Sequence, residues 1–252
     1  DFALINPLAF TTDGRLFAAQ MAIDRLHEFP LDDNLQLSGE PRLVASKLGN
    51  LNSFEITADD QLIGPLFNNG EVAAVNIETG AVRVIARDLG RVVAVNLDAA
   101  GNVWAIDWAS GALWRIDRKG DTWQAPRQVA RLQPPLDNLA VGPDGAIYVS
   151  RPAHSAIDRI DPVSGEVRAL VAGQLTAAGG LAITTHNGRE VLLVADGYGY
   201  RLADTQDGSV STTYDLTEFG FPAAASAAAA NADYFALSDV VIRPSIYLID
   251  RR

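Results

Sequence analysis

The sequence has no cysteine, one methionine and only two lysines, Lys47 and Lys119. Without cysteine, disulfides, thiolate nucleophiles and zinc–cysteine centres are excluded. The scarcity of lysine beside many arginines favours a bacterial origin. No apolar run reaches about 18 residues, so we expect no transmembrane segment. None of these features indicates a compartment or an oligomeric state.

Positive charge is in deficit as well, because the formal net charge is −11. Nucleic-acid binders need clustered Lys and Arg to displace counterions, so we expect no nucleic-acid partner. The acidic balance is compatible with a cation held in an acidic cleft, and equally with solubility alone. The sequence also contains no GxSxG, no HExxH and no glycine-rich phosphate loop.

What the sequence does contain is a repeat. "GNVWAIDWASGALWRID" from Gly101 aligns without a gap with "GAIYVSRPAHSAIDRID" from Gly145. Related copies begin near positions 14, 60, 188 and 232, at intervals of 41 to 46 residues. A period of about 40–45 residues is typical of propeller blades. We therefore predict one all-β domain over 1–252, a six-bladed β-propeller of four-stranded antiparallel blades at about 6–50, 51–91, 92–135, 136–176, 177–220 and 221–252.

Two segments of this repeat leave alternatives open. The alanine-rich stretch 222–233 has the composition of a helix, but its register predicts the innermost strand of the sixth unit. That unit ends after its third strand, so either the blade has three strands or a closing strand lies outside the given sequence. Trp104 and Trp114 occupy apolar strand positions and are interpreted as blade packing, whereas Trp108 falls in a turn and is a candidate ligand contact.

The repeat also predicts a common site. In an antiparallel blade, the start of the first strand and the end of the second strand lie at the same end. Six blades therefore bring these positions to one concave channel mouth. The first-strand starts include Asn6, Asn52 and Asp137. The second-strand ends are Gln20, Leu66, Asp107, Arg151, Asp196, and Ser238 or Asp239.

Close-set carboxylates favour a bound cation or a shared proton. Oxygen ligands without cysteine indicate a hard ion, Ca²⁺ or Mg²⁺. A bound dication could polarise a lactone or ester carbonyl while Asp107 or Asp196 activates water. The alternative is that these Asp and Asn residues cap turns and accept backbone N–H bonds. His154, beside Arg151, could reach the mouth.

Three blade phrases carry a resemblance: "NPLAFTTDGRLFAAQ", "LDNLAVGPDGAIYVSR" and "GGLAITTHNGREVLLVAD". They resemble the blade phrase of the senescence marker protein/gluconolactonase family and its relatives, the paraoxonases, strictosidine synthases and streptogramin lyases. The resemblance implies a six-bladed propeller with one divalent ion, usually calcium, at the channel mouth. It places Asn6, Asn52 and Asp137 at ligand-type positions, while Val93 and Gly179 stand where a polar residue is expected.

The sequence thus predicts a metal-dependent hydrolase of lactones or related esters that acts on a small-molecule substrate. Asp107 and Asp196 are the candidate catalytic bases, and Asn6, Asn52 and Asp137 the candidate Ca²⁺ ligands. The candidate substrate-binding residues are Arg151, which would anchor a carbonyl or carboxylate, and His154, Trp108, Gln20 and Asp239. The alternative hypothesis is a non-catalytic propeller that binds a peptide, sugar or small molecule at the same mouth.

Overall fold

The chain is built almost entirely from short β-strands joined by tight turns. The computed structural model describes residues 5–32, 34, 36–220, 225–230, 234–239 and 245–250. In that part there are 25 strands and two 3-10 helices of three residues, Pro152–His154 and Thr217–Phe219. Over those same ranges, no helix has the length and apolar character needed to cross a bilayer.

Five antiparallel sheets of four strands form five propeller blades, each from a single repeat unit. The first blade contains β1 (Ile5–Phe10), β2 (Leu16–Gln20), β3 (Arg25–Phe29) and β4 (Arg42–Ser46). The second contains β5 (Glu55–Ile56), β6 (Gln61–Leu66), β7 (Glu71–Asn76) and β8 (Val82–Ala86). The third contains β9 (Val92–Leu97), β10 (Val103–Asp107), β11 (Ala112–Ile116) and β14 (Arg127–Arg131), with a hairpin of β12 (Arg118–Lys119) and β13 (Thr122–Trp123) inserted before β14.

The remaining strands continue this order around the molecule. The fourth blade contains β15 (Leu139–Val141), β16 (Ile147–Arg151), β17 (Ala156–Ile160) and β18 (Val167–Ala172). The fifth contains β19 (Ala178–His186), β20 (Arg189–Asp196), β21 (Gly199–Asp204) and β22 (Tyr214–Asp215). A sixth sheet contains β23 (Ala225–Ala230), β24 (Tyr234–Asp239) and β25 (Ser245–Asp250). The all-β propeller class is therefore confirmed, with five four-stranded blades and one three-stranded sheet in the described part.

The turns between the first and second strands set the register of each blade. In the first blade, the Gly14 N–H donates to the Thr11 carbonyl at 3.1 Å, and Gly14 has φ +89°. Gly145 in the fourth blade has φ +82°. Glycine adopts this left-handed conformation without a Cβ penalty, which is why Asp-Gly marks these hairpins.

The first strand of each of these six sheets lies at the centre. These strands contact one another in the closed order β1, β5, β9, β15, β19, β23 and back to β1. An apolar cluster fills the space between each neighbouring pair of sheets, including those between the sixth sheet and the fifth and first blades. Because each sheet is packed on both faces, its strands are apolar on both faces.

Two local predictions can be compared directly. Residues 225–230 form strand β23, not a helix, because pairing with β24 outweighs the helix propensity of alanine. The rest of 222–233 lies outside the described residues. Trp104 is 1 % exposed, and its Nε1 donates to Asp98 Oδ2 at 3.2 Å, which confirms its packing role. Trp108 is 40 % exposed in the turn after β10.

Candidate functional site

The strand ends named from the sequence lie at one end of the propeller. All six second strands end at the predicted residue, with Asp239 as the last residue of β24. The six are Gln20, Leu66, Asp107, Arg151, Asp196 and Asp239. Each is paired with, or lies beside, the start of the adjacent innermost strand, as in Gln20 with Ile5 and Asp196 with Ala178.

The three candidate metal ligands occupy the same position in three blades. The pairing of first and second strands makes Ala9, Glu55 and Ala140 equivalent positions in the first, second and fourth blades. Each candidate ligand lies three residues before one of these positions. All three are partly buried. Asp137 is enclosed enough that burial raises the pKa of its carboxyl to about 6. Their side chains make no hydrogen bond within the described ranges, so their oxygens are available to a ligand.

Below these residues a cavity of about 200 Å³ lies on the propeller axis. Strands β1, β9, β15, β19 and β23 and the 53–55 segment all contribute to its wall. Pro7, Ser53 and Asn138 line it, and each directly follows one of the three candidate ligands. The candidate ligands therefore stand at the mouth-side end of an axial cavity.

The most polar part of this cavity was missed by the sequence analysis. At one level of the five blades, the innermost strands carry Ala9, Glu55, Asn96, Ala140 and Ala182. The small alanines leave the space that Glu55 and Asn96 face. A polar residue at a position that is alanine in three other units was the signal that could have revealed the pair.

Glu55 and Asn96 form a fixed pair across two blades. Asn96 Nδ2 donates to Glu55 Oε1 at 2.6 Å, and Asn96 Oδ1 accepts from the Val141 N–H at 3.3 Å. Burial raises the pKa of Glu55 to about 7, and the Asn96 hydrogen bond opposes part of that rise. A carboxyl group with this pKa gains or loses its proton near neutral pH, and here it does so inside the channel.

The two candidate bases, Asp107 and Asp196, are occupied as hydrogen-bond acceptors. Asp107 Oδ1 accepts from the Arg91 N–H at 3.1 Å and the Ala109 N–H at 3.0 Å. Asp196 Oδ1 accepts from two backbone N–H groups of the 173–177 loop at 2.8 and 2.7 Å. Both carboxylates are buried, and each holds the loop that leads into its own blade. Neither lines the axial cavity. Their catalytic role stays a prediction.

The predicted substrate-binding side chains lie in different surroundings. Arg151 is largely buried in an ion pair with Asp158, with Nε 2.8 Å from Oδ2. The His154 ring is exposed, with Nε2 3.4 Å from the Pro134 carbonyl oxygen. Gln20 is buried, and its Nε2 has no hydrogen-bond partner among the described atoms. The side chain of Asp239 lies outside the described residues, so its predicted contact stays a prediction.

The donor set at the mouth fits a hard cation better than a soft one. Asn6 and Asn52 offer amide oxygens and Asp137 a carboxylate, and Ca²⁺ accepts about six to eight such ligands, some of them from water or substrate. Among the described residues, no group of three or more His, Cys, Asp or Glu side chains is placed to hold a metal. A cation here would therefore depend on neutral amides and one carboxylate.

Comparisons with known proteins show which solved structures share this fold. Neither a protein-family model nor a curated protein sequence matches the chain. A gluconolactonase from Xanthomonas campestris superposes with a TM-score of 0.76 at 15 % identity, covering 94 % of this chain and 83 % of its own. A streptogramin B lyase gives 0.68 at 12 % identity, covering 99 % and 84 %. A chain of the nidogen/laminin complex gives 0.71 at 14 % identity, covering 88 % and 84 %. The chain thus shares the β-propeller fold of gluconolactonases and streptogramin lyases.

Proposed function

We propose that the protein is a metal-dependent hydrolase of lactones or related esters, working at the mouth of its channel. One observation carries the proposal: Asn6, Asn52 and Asp137 occupy one blade position, are partly buried, and make no side-chain hydrogen bond within the described ranges. Side-chain oxygens that are partly exposed at the mouth and accept no intramolecular hydrogen bond can bind a ligand without breaking an existing contact. The likeness of the fold to a gluconolactonase supports the same activity.

Each residue has a defined part in this proposal. The amide oxygens of Asn6 and Asn52 and the carboxylate of Asp137 would hold Ca²⁺, which when bound polarises a carbonyl oxygen. Asp107 and Asp196 are proposed as bases that accept a proton from water. Their bonds to backbone N–H groups tie both carboxylates to the loops that lead into their blades. Arg151 would reach a substrate carbonyl or carboxylate only if it gave up Asp158.

The proposed site also depends on the number of blades in the ring. We propose that β23–β25 is a sixth blade with three strands. Its innermost strand contacts both β19 and β1, and apolar clusters join it to the fifth and first blades. Six sheets around one axis would place the Asn6, Asn52 and Asp137 positions on a common circle.

Calorimetry and a turnover assay test the function together. Titration with Ca²⁺ should give saturable heat, and a panel of sugar and aliphatic lactones should be hydrolysed in a reaction that EDTA stops and Ca²⁺ restores. Absence of Ca²⁺ heat, combined with a melting temperature that EDTA leaves unchanged, would remove the metal from the proposal.

A non-catalytic propeller is the second candidate, because two of the charged side chains at the strand ends are already in ion pairs. Arg151 is paired with Asp158, and Asp196 with Arg201 at 2.9 Å. Charged side chains that are already paired suit recognition of a peptide or sugar more than proton transfer. No turnover of any lactone, together with capture of an immobilised peptide or oligosaccharide that Arg151→Ala abolishes, would favour this candidate.

A further inference from the structure

A second recess opens at the rim of the mouth, between the second and third blades. It has a volume of about 450 Å³. It is formed by the turn after β6 and the loop before β9, and its lining residues are Phe67, Asn68, Asn69, Gly70, Asp88, Gly90 and Arg91. Trp108, in the turn after β10, stands beside Arg91. We call this recess the rim groove.

Arg91 is the distinctive group of the rim groove. Its guanidinium carbon lies 5.5 Å from the ring centroid of Phe67 and 5.8 Å from that of Trp108. Both distances are in the range of cation–π attraction, which orients the guanidinium. Its side-chain N–H groups donate no hydrogen bond to any other described residue. Arg91 makes no ion pair with a carboxylate in the described part of the chain, unlike Arg151 or Arg201.

The backbone that carries these side chains is held on both sides. The Arg91 N–H donates to Asp107 Oδ1 at 3.1 Å, and the Trp108 N–H donates to the Arg91 carbonyl at 2.9 Å. The backbone positions that carry the guanidinium and the indole are therefore held at a fixed spacing. A preorganised site loses little conformational entropy when a ligand binds.

The other charged residues near the groove determine whether it favours an anionic or a cationic ligand. Glu71 is already in an ion pair with Arg87. Asp88 is exposed on the same rim, and no ion pair joins it to Arg91 or another cation among the described residues. Arg91 thus offers a fork of N–H donors next to two aromatic rings. The exposed carboxylate of Asp88 and the buried carboxylate of Asp107, which accepts from the Arg91 backbone N–H, both oppose an anion.

We propose that the rim groove is a binding subsite for the carboxylate of a small molecule whose flat apolar part lies on Trp108 and Phe67. Arginine binds carboxylates through two parallel N–H···O bonds, and its aromatic neighbours supply the apolar surface. The subsite is separate from Asn6, Asn52 and Asp137. It stands whether or not those residues hold a metal.

Nuclear magnetic resonance of the intact protein tests this subsite with two matched probes, 2-naphthoate and its neutral amide, 2-naphthamide. The four tryptophan indole N–H signals report the contact, and Trp108→Phe identifies the Trp108 signal. At low salt, naphthoate should shift the Trp108 signal and leave the buried Trp104 signal unmoved. The amide should bind about ten-fold more weakly, because it cannot form the charged pair. Added salt should weaken naphthoate binding.

Two variants with opposite expectations complete the test. Arg91→Gln should reduce naphthoate binding about ten-fold, and Asp88→Asn should strengthen it by removing a like charge. Arg168→Gln, an exposed arginine on β18, is the matched control and should change nothing. Equal binding of the two probes, or unchanged affinity in both Arg91→Gln and Asp88→Asn, would overturn the proposal.

Discussion

Asn96 and Glu55 join two blades by a hydrogen bond of 2.6 Å in the wall of the axial cavity. Asn96 is held in turn by the Val141 N–H of a third blade. A single short chain of contacts therefore links the second, third and fourth blades at the channel wall. It also keeps a carboxyl group with a pKa of about 7 in an enclosed position.

We predict that this carboxyl makes stability depend on pH. The pKa of Glu55 is higher in the folded protein than its usual value of 4.5, so ionisation disfavours the folded state. The stabilisation is full below about pH 4.5 and is lost as pH rises through about 7. Relative to Glu55→Gln, the wild-type free energy of unfolding should fall by up to about 3 kcal/mol over that interval.

Urea unfolding of both proteins between pH 4 and pH 8.5 measures this difference. Glu218→Gln, at an exposed carboxylate, is the matched control and should follow the wild-type profile. Parallel profiles for wild type and Glu55→Gln would contradict the enclosed position of Glu55.

A second prediction concerns the buried carboxylate of Asp196. Asp196→Ala should destabilise the protein by about 2–4 kcal/mol, because two loop N–H groups and Arg201 lose their partner. Amide exchange at Thr176 and Ala177 should accelerate in the same variant. Asp121→Ala, at an exposed position, should stay within about 0.5 kcal/mol.

The same residue separates loop support from catalysis. Asp196→Asn keeps an acceptor oxygen for the loop but cannot take a proton. A loss of lactone turnover in Asp196→Asn with unchanged exchange at Thr176 and Ala177 would favour the catalytic role. Retained turnover would leave Asp196 as a loop support.

The two neighbouring tryptophans should differ sharply in their effect on stability. Trp104→Ala removes a ring that is 1 % exposed and should cost about 3–5 kcal/mol. Trp108→Ala, at a ring that is 40 % exposed, should cost less than about 1 kcal/mol. Denaturant titration of both variants measures the contrast. Similar losses in the two would show that Trp108 is packed as tightly as Trp104.

Much of the fold could be predicted from the sequence because the repeat and the hairpin turns constrain the register. Positive-φ glycines such as Gly14 and Gly145 fix where the second strand starts, and hence where Gln20 and Arg151 end it. The orientation of side chains was harder to foresee. Asp107 turns toward the backbone of its own entry loop, and that choice depends on contacts distant in the sequence. Glu55 was missed because the sequence predicted that this innermost strand starts at Asn52, three residues before Glu55, which is the first residue of β5 in the structure.

The candidate cation site gives a fourth prediction. Asp137→Asn and Asn52→Ala should each weaken Ca²⁺ binding by about ten-fold or more, because each removes an oxygen donor or its charge. Asp121→Asn, at an exposed carboxylate away from the mouth, should bind Ca²⁺ as the wild type does. Calorimetric titration of the three variants measures these affinities. An unchanged affinity in Asp137→Asn and Asn52→Ala would locate the ion elsewhere.

The convergence of three blades on one cation is tested most directly by a crystal structure of the protein grown with Mn²⁺ or Ca²⁺, with anomalous diffraction data. The account predicts one anomalous peak at the channel mouth, within bonding distance of the side-chain oxygens of Asn6, Asn52 and Asp137. A mouth without a peak at saturating metal, or these three side chains directed away from a common point, would contradict it.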